Sequence, residues 1–202
     1  MITFHAGSSK HIRAAKWMLA GVASLVLLFA LGDARATAAE SPETSAAVAR
    51  QVKAAYLYKF GNYVQWPDSA FDRPDSPIVI GVAGDDALAA SLANVIEGKR
   101  LQGRGVEVRR IGVGQRMNGV HILFVGRMDA TSLAGVSGAT RGQPVLVVSD
   151  AAQAAALDSM VSFVVVDQRL RFKVALEPVA SNGLKLSALM LTVAYQVKRE
   201  AP

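Results

Sequence analysis

The runs Val120-His121-Ile122-Leu123-Phe124-Val125 and Pro144-Val145-Leu146-Val147-Val148 are apolar almost throughout. A strand with one wet face alternates polar and apolar residues, and these do not. Each run therefore reads as a strand covered by helices on both faces, the environment of a sheet that contains parallel strands. Upstream, Ile78-Val79-Ile80-Gly81-Val82-Ala83 is a third such run. A helix should follow it, capped by Asp85 or Asp86, with Leu88, Leu92 and Ile96 on its buried face and Gly98 as its terminator. Val106 to Ile111 alternates and reads as a strand with one solvated face. Between the two quoted runs, Asp129 to Ala139 has the length of a short helix. After the second, Asp150 is expected to cap another helix through Leu157.

Farther out the pattern changes. Met160 to Val166 and Arg169 to Leu176 are strand-like and separated only by Asp167-Gln168, too short a link for a parallel crossover, so they predict a hairpin. Ser187 to Lys198 predicts a last helix with Leu189, Met190, Val193 and Val197 on one face. On the N-terminal side, Ser45 is a candidate cap for a long helix whose buried face would be Val48, Val52, Ala55, Tyr56, Phe60, Tyr63 and Val64. Trp66-Pro67 should end it, because a residue before proline is pushed away from helical dihedrals. The polar stretch Asp68 to Pro77 reads as a loop. The expected fold is a single α/β domain: a mixed β-sheet of about six strands with helices on its faces, ending in a C-terminal hairpin plus helix.

The chain has 202 residues, and its beginning is not part of that domain. Lys10, Arg13 and Lys16 precede an apolar run from Trp17 to Leu31, and small residues follow around Ala34-Arg35-Ala36. Those are the three parts of a secretory signal. The run is shorter than the roughly 20 residues a spanning helix needs. Residues 1–36 are accordingly expected to be a cleaved signal peptide, with cleavage after Ala36 or, alternatively, after Ala38. Residues 37–44 would be a flexible leader and 45–200 the domain, in the periplasm. Loss of the signal removes Lys10, Arg13, Lys16 and Arg35, leaving a weaker positive balance than the +6 of the whole chain. Without a continuous basic stripe, nucleic-acid binding is set aside. No cysteine is present, so the protein is neither a lipoprotein nor disulfide-stapled. His121 is the one histidine left after the signal is lost, which leaves no Cys/His zinc set, no metal site and no cofactor to expect.

Four features could carry chemistry. Ile80 to Asp86 lies where an α/β nucleotide-binding protein puts its phosphate loop, yet it lacks the full glycine spacing, and Asp85 with Asp86 would repel a phosphate. It reads as a tight turn with a capping aspartate. Ser149 follows a buried strand without the G-x-S-x-G surroundings of a hydrolase nucleophile, and its one histidine partner would be His121, inside an apolar run. No catalytic residue is expected and the protein reads as a non-enzyme. Arg169, Arg171 and Lys173 alternate with Leu170, Phe172 and Val174, so the three cations share one face over about 13 Å. That is either a solvated edge strand guarded by charge or a surface for an acidic partner or ligand. Finally, Tyr56, Tyr58, Phe60, Tyr63 and Trp66 crowd one segment; one helix face cannot bury them all, so some aromatic surface could meet a partner.

Lys53-Ala54-Ala55-Tyr56-Leu57-Tyr58-Lys59-Phe60-Gly61-Asn62-Tyr63-Val64-Gln65-Trp66-Pro67 resembles the opening segment of the YfiR-like periplasmic family. Gly81 to Asp86, Arg104 to Arg110, His121 to Phe124, Pro144 to Asp150, Leu170-Arg171-Phe172 and Gly183-Leu184-Lys185-Leu186-Ser187 continue the resemblance in order. It implies a periplasmic regulator that binds and represses an inner-membrane signalling protein, in the best-known arrangement a diguanylate cyclase. It further implies a homodimer and an outer-membrane lipoprotein that can sequester the repressor. Any ligand pocket would sit near Lys185-Leu186-Ser187, beside the Trp66-Pro67 turn. The residues expected to meet a partner or ligand are thus Tyr63, Trp66, Arg169, Arg171, Lys173, Lys185 and Ser187. This chain departs from the family in three places: it has no cysteine near Val120-His121, it has Asp158-Ser159 where a glycine pair is usual, and it reads Phe172-Lys173-Val174-Ala175 where an acid and an amide are usual. The alternative reading is a small-ligand-binding module serving a different membrane sensor.

Overall fold

The computed structural model describes residues 42–199 apart from 113 and 116. The signal segment and most of the leader lie outside them. The long helix α1 spans Pro42–Phe60. It starts three residues ahead of Ser45, inside the stretch expected to be a flexible leader; proline suits a first helical turn because that N–H has no intrahelical partner. Its buried face is also rotated from the expected one. Ala54, Leu57 and Phe60 are buried, whereas Val48 is 54% exposed. The helix ends before Trp66-Pro67. The amides of Gly61, Asn62 and Tyr63 bond back to the carbonyls of Tyr58, Lys59 and Phe60 in a tightened last turn. Gly61 lets the Leu101 side chain pack close to this turn; a Cβ there would come within 2.4 Å of the Leu101 Cδ1 and push that methyl aside.

Next come a two-residue strand β1 (Val64–Gln65), a short 3-10 turn (Asp68–Ala70) and β2 (Ile78–Ala83), followed by α2 (Asp86–Ile96). Asp85, not Asp86, caps α2, its carboxylate accepting from the Leu88 amide at 2.9 Å. Then follow β3 (Arg100–Leu101), β4 (Arg104–Ile111), β5 (Ile122–Val125), α3 (Ala130–Thr140), β6 (Leu146–Asp150), β7 (Val161–Val166) and β8 (Arg169–Ala175). The chain closes with α4 (Leu176–Ser181), β9 (Lys185–Leu186), α5 (Ala188–Val193) and β10 (Gln196–Lys198).

Eight strands form one sheet in the order β10-β8-β7-β6-β5-β2-β4-β3, with β1 and β9 paired separately. The five strands from β4 to β7 are mutually parallel, while β3 runs against β4 and β8 against β7. The α/β class and the mixed sheet are as expected, and the sheet is larger than the six strands read from sequence. The β7–β8 hairpin turns at Asp167-Gln168, whose φ values of 49° and 57° match the twist of the strands it joins.

Two predicted helices are different. Residues 151–158 form successive turns instead of a helix capped by Asp150. The predicted helix Ser187–Lys198 is short; Ser187 does cap it, accepting from the Met190 amide at 3.3 Å. However, Gln196–Lys198 leave it to pair parallel with Lys173–Ala175 of β8. Leu189 and Val193, expected on the buried face, are both 56% exposed. An open sheet edge supplies three residues with ladder bonds that helical periodicity cannot reveal.

The two faces of the sheet are covered differently. On one, Ile80, Val82, Ile122, Phe124, Leu146, Val148, Val161, Phe163, Phe172 and Val174 pack with residues of α1 and α2 in a core that crosses from β2 to β8. On the other, Val79, Ala83, Leu123, Val125 and Val147 pack with Leu133 and Val136 of α3 and with Leu157. That second core stops at β6. No residue of β7, β8 or β10 contributes to it.

Candidate functional site

The Trp66 corner gathers four of the expected site residues. Val64 pairs with Leu186 and Gln65 with Lys185, and the Ser187 amide donates to the Tyr63 carbonyl at 2.8 Å. The β1–β9 ribbon thus brings Tyr63, Trp66, Lys185 and Ser187 together from opposite ends of the chain. Two of them have structural duties: the Ser187 hydroxyl caps α5, and the Trp66 indole N–H donates to the His121 carbonyl at 3.2 Å. Tyr63 is half-buried and Lys185 exposed. Gln102 braces the same corner by donating to the carbonyls of Gly61 at 2.7 Å and Val64 at 2.8 Å. Sequence reading missed it, because a glutamine in a charged loop gives no sign of where its amide will land.

Behind Trp66 is a stack. The Arg104 guanidinium lies 3.8 Å from the centre of the Phe71 ring. Phe71 stacks on His121 at 4.5 Å, and Trp66 meets His121 edge-on at 5.9 Å. His121 is 3% exposed and uses both ring nitrogens. Its Nδ1 accepts from the Val79 amide at 3.1 Å, so Nε2 carries the proton and donates to the Ala70 carbonyl at 3.1 Å. Burial holds its pKa below the ordinary value; the Ala70 bond opposes this, Arg104 and Arg109 add to it, and Asp72 opposes it. The residue is a neutral strut that ties the 68–76 loop to the sheet.

The hydrolase constellation is absent. Val125 pairs with Ser149 in the parallel β5–β6 register, and His121 lies four residues earlier along the strand, about 13 Å at 3.3 Å per residue. The Ser149 hydroxyl instead shares a 2.8 Å hydrogen bond with that of Ser159. The phosphate-loop position is also filled. The Gly126 amide donates to the Ala83 carbonyl at 2.8 Å, and a Cβ on Gly126 would stand 2.7 Å from the Gly84 oxygen. The Asp85 carboxylate already accepts from the Leu88 amide, so the α2 N-terminus carries a negative partner of its own, which disfavours an anion there.

Arg169, Arg171 and Lys173 lie far along the chain from the Trp66 corner, on β8. Alternation puts all three on the sheet face that the second core leaves uncovered. Arg169 and Arg171 are exposed and Lys173 half-buried. Strand β10 pairs only from Lys173 onward, so Arg169 and Arg171 lie along the part of β8 that has no further strand beside it. A further feature that sequence reading missed joins α1 to the sheet. Lys53 Nζ is 2.6 Å from the Asp150 carboxylate and sits over the Phe124 and Phe163 rings at 5.6 and 6.0 Å. The aspartate expected to cap a helix anchors this lysine instead. Among the described residues, no group of three or more His, Cys, Asp or Glu side chains is placed to hold a metal ion.

Ser149 and His121 do not come together as a reacting pair. The sequence pattern of the YfiR/HmsC-like family matches residues 50–195. The chain belongs to the YfiR/HmsC-like family. No curated protein matches it significantly. The family is a regulatory one that points to control of cyclic di-GMP signalling. In this family member the matched stretch runs from the middle of α1 to the residue before β10. It therefore contains the Trp66 corner and the β8 cations and leaves out β10.

Proposed function

We propose that this protein is a periplasmic, non-enzymatic regulator that binds the periplasmic portion of an inner-membrane diguanylate cyclase and holds its activity down. The observation that carries the reading is the family match over residues 50–195. The geometry agrees with it: Arg169 and Arg171 are exposed on the stretch of β8 beyond its pairing with β10, a suitable ground for charge-complementary docking. A homodimer, and an outer-membrane lipoprotein that draws the repressor away, belong to the same proposal, as does removal of residues 1–36 on export. The family's usual acid and amide are replaced at Lys173 and Ala175, so the cognate cyclase should carry a compensating change on its contact surface.

Deleting the gene in its own host and measuring cellular cyclic di-GMP tests the proposal. A rise in the nucleotide, reversed by supplying the gene in trans, is expected. An unchanged level in a host that makes the cognate cyclase contradicts it. The other reading is a ligand-binding module for a different sensor; the Asp85 carboxylate on the Leu88 amide weighs against an anionic ligand at the Gly81–Asp86 turn. A level that stays flat while a different membrane sensor loses its response would favour that reading.

A further inference from the structure

Where the second sheet face passes from β6 to β10 it forms the floor of a cavity of about 660 Å³. Ser162 of β7, Lys173 of β8, and Gln196 and Lys198 of β10 line that floor. The end of α3, the turns after β6 and α4 stand around it. Buried hydrogen bonds hold these walls. Asn182, just past α4, donates to the Thr140 carbonyl at 2.9 Å and accepts from the Gly142 amide at 3.0 Å. The Ser149–Ser159 bond fixes the turns from below. The hollow is therefore formed before any ligand arrives, as small-molecule sites usually are.

Its charge is unbalanced. Arg141, Lys173, Lys198 and Arg199 line it against Asp158 and Glu177, and Asp158 is engaged with Arg141 at 3.5 Å. Among the described residues no carboxylate stands within ion-pair distance of Lys173 or Lys198. The register pairs Gln196 with Lys173, which sets Lys198 two residues along the neighbouring strand, on the same face and about 8 Å away. Protection of a bare sheet edge accounts for Arg169 and Arg171. It does not account for Lys173, because β10 already pairs with that part of β8; Lys198, on the edge strand β10, brings a second cation to the same hollow. Two ammonium groups held in one preformed hollow, with the polar side chains of Ser162 and Gln196 beside them, make a receptor for negative charge.

We propose that this hollow binds a small organic anion carrying carboxylate or phosphate groups, held by Lys173 and Lys198 with Arg141 on the facing wall. Lys198 and Arg199 lie outside the stretch matched to the family, and the proposal does not depend on the cyclase reading. The test is a titration of the purified protein with citrate and, separately, with glycerol phosphate at constant ionic strength, followed by amide ¹H–¹⁵N shifts. Saturable shifts confined to the neighbourhood of Ser162, Lys173, Gln196 and Lys198 are expected for at least one probe, and which probe saturates distinguishes carboxylate from phosphate recognition. Lys198→Gln, at an exposed position, should keep the melting temperature and weaken binding about tenfold, as should Lys173→Gln, the scale of a lost charge-assisted hydrogen bond. Arg169→Gln should leave affinity unchanged. The absence of saturation by either probe at about 10 mM, a range where even weak sites fill, overturns the proposal. So does an affinity that neither lysine variant alters.

Discussion

The two faces of this sheet are made by the same strands and are covered to different extents. Beneath α1 and α2 the core runs unbroken from β2 to β8, with aromatic rings meeting at Tyr56, Phe60, Phe163 and Phe172. Beneath α3 it ends at β6. Past that point the alternate residues of β7, β8 and β10 include Ser162, Arg171, Lys173 and Lys198. Burial is continuous on the first face, and the half-face where it stops carries the polar and cationic side chains to which the proposed recognition is assigned.

The largest effect should come from emptying the covered face. Phe124 is fully buried, so Phe124→Ala is expected to cost about 3–5 kcal/mol through lost burial and a residual cavity, read as a lower midpoint in urea unfolding. His121→Ala comes next. It leaves the Val79 amide and the Ala70 carbonyl without their partner, at about 3 kcal/mol. The same residue sets a pH dependence. The unfolded histidine takes up a proton near pH 6.5 and the folded one only at lower pH. Stability should therefore fall as pH drops below about 6.5 and go on falling until the folded value is passed. Unfolding midpoints measured across that window should show this slope, and His121→Ala should flatten it.

Much of the covered architecture was legible in the sequence. Parallel central strands need apolar residues on both faces, so Ile78–Ala83, Ile122–Val125 and Leu146–Val148 announce themselves. Asp167-Gln168 announces the hairpin by its brevity. The misses have a common cause. Val48 and Val52 fit a helical stripe as well as Ala54 and Leu57 do, and only the position of the sheet decides which is buried. Leu189 and Val193 fit a stripe that the edge of β8 overrides. The alanine-rich stretch Ala151–Ala156 carries no stripe strong enough to choose between helix and turns. At the site, the Trp66 corner was legible through a long motif. The cation-lined hollow was not, because Arg141, Lys173 and Lys198 come from three separate parts of the chain, Lys173 and Lys198 meeting through the β8–β10 pairing and Arg141 arriving at the end of α3.

Smaller effects sharpen the contrast. Lys53→Met keeps the aliphatic stem over Phe124 and Phe163 and removes the charge from Asp150. Because the pair is only partly shielded, a loss of about 1 kcal/mol is expected, with Asp150→Asn on the Lys53→Met background adding little further loss. Ser162→Val on the open half-face should change stability by less than about 0.5 kcal/mol. Equal destabilisation by Ser162→Val and Phe124→Ala would erase the distinction between the two faces.

The most direct test joins the open half-face to regulation. In a host lacking the chromosomal gene, the protein carrying Arg169→Glu and Arg171→Glu is compared with the unaltered protein for its ability to lower cellular cyclic di-GMP. Both substitutions lie on exposed positions of the uncovered face, so folding and abundance should be preserved. The account predicts that the variant accumulates normally and fails to bring the nucleotide down. Full restoration of the low level by the variant would contradict it.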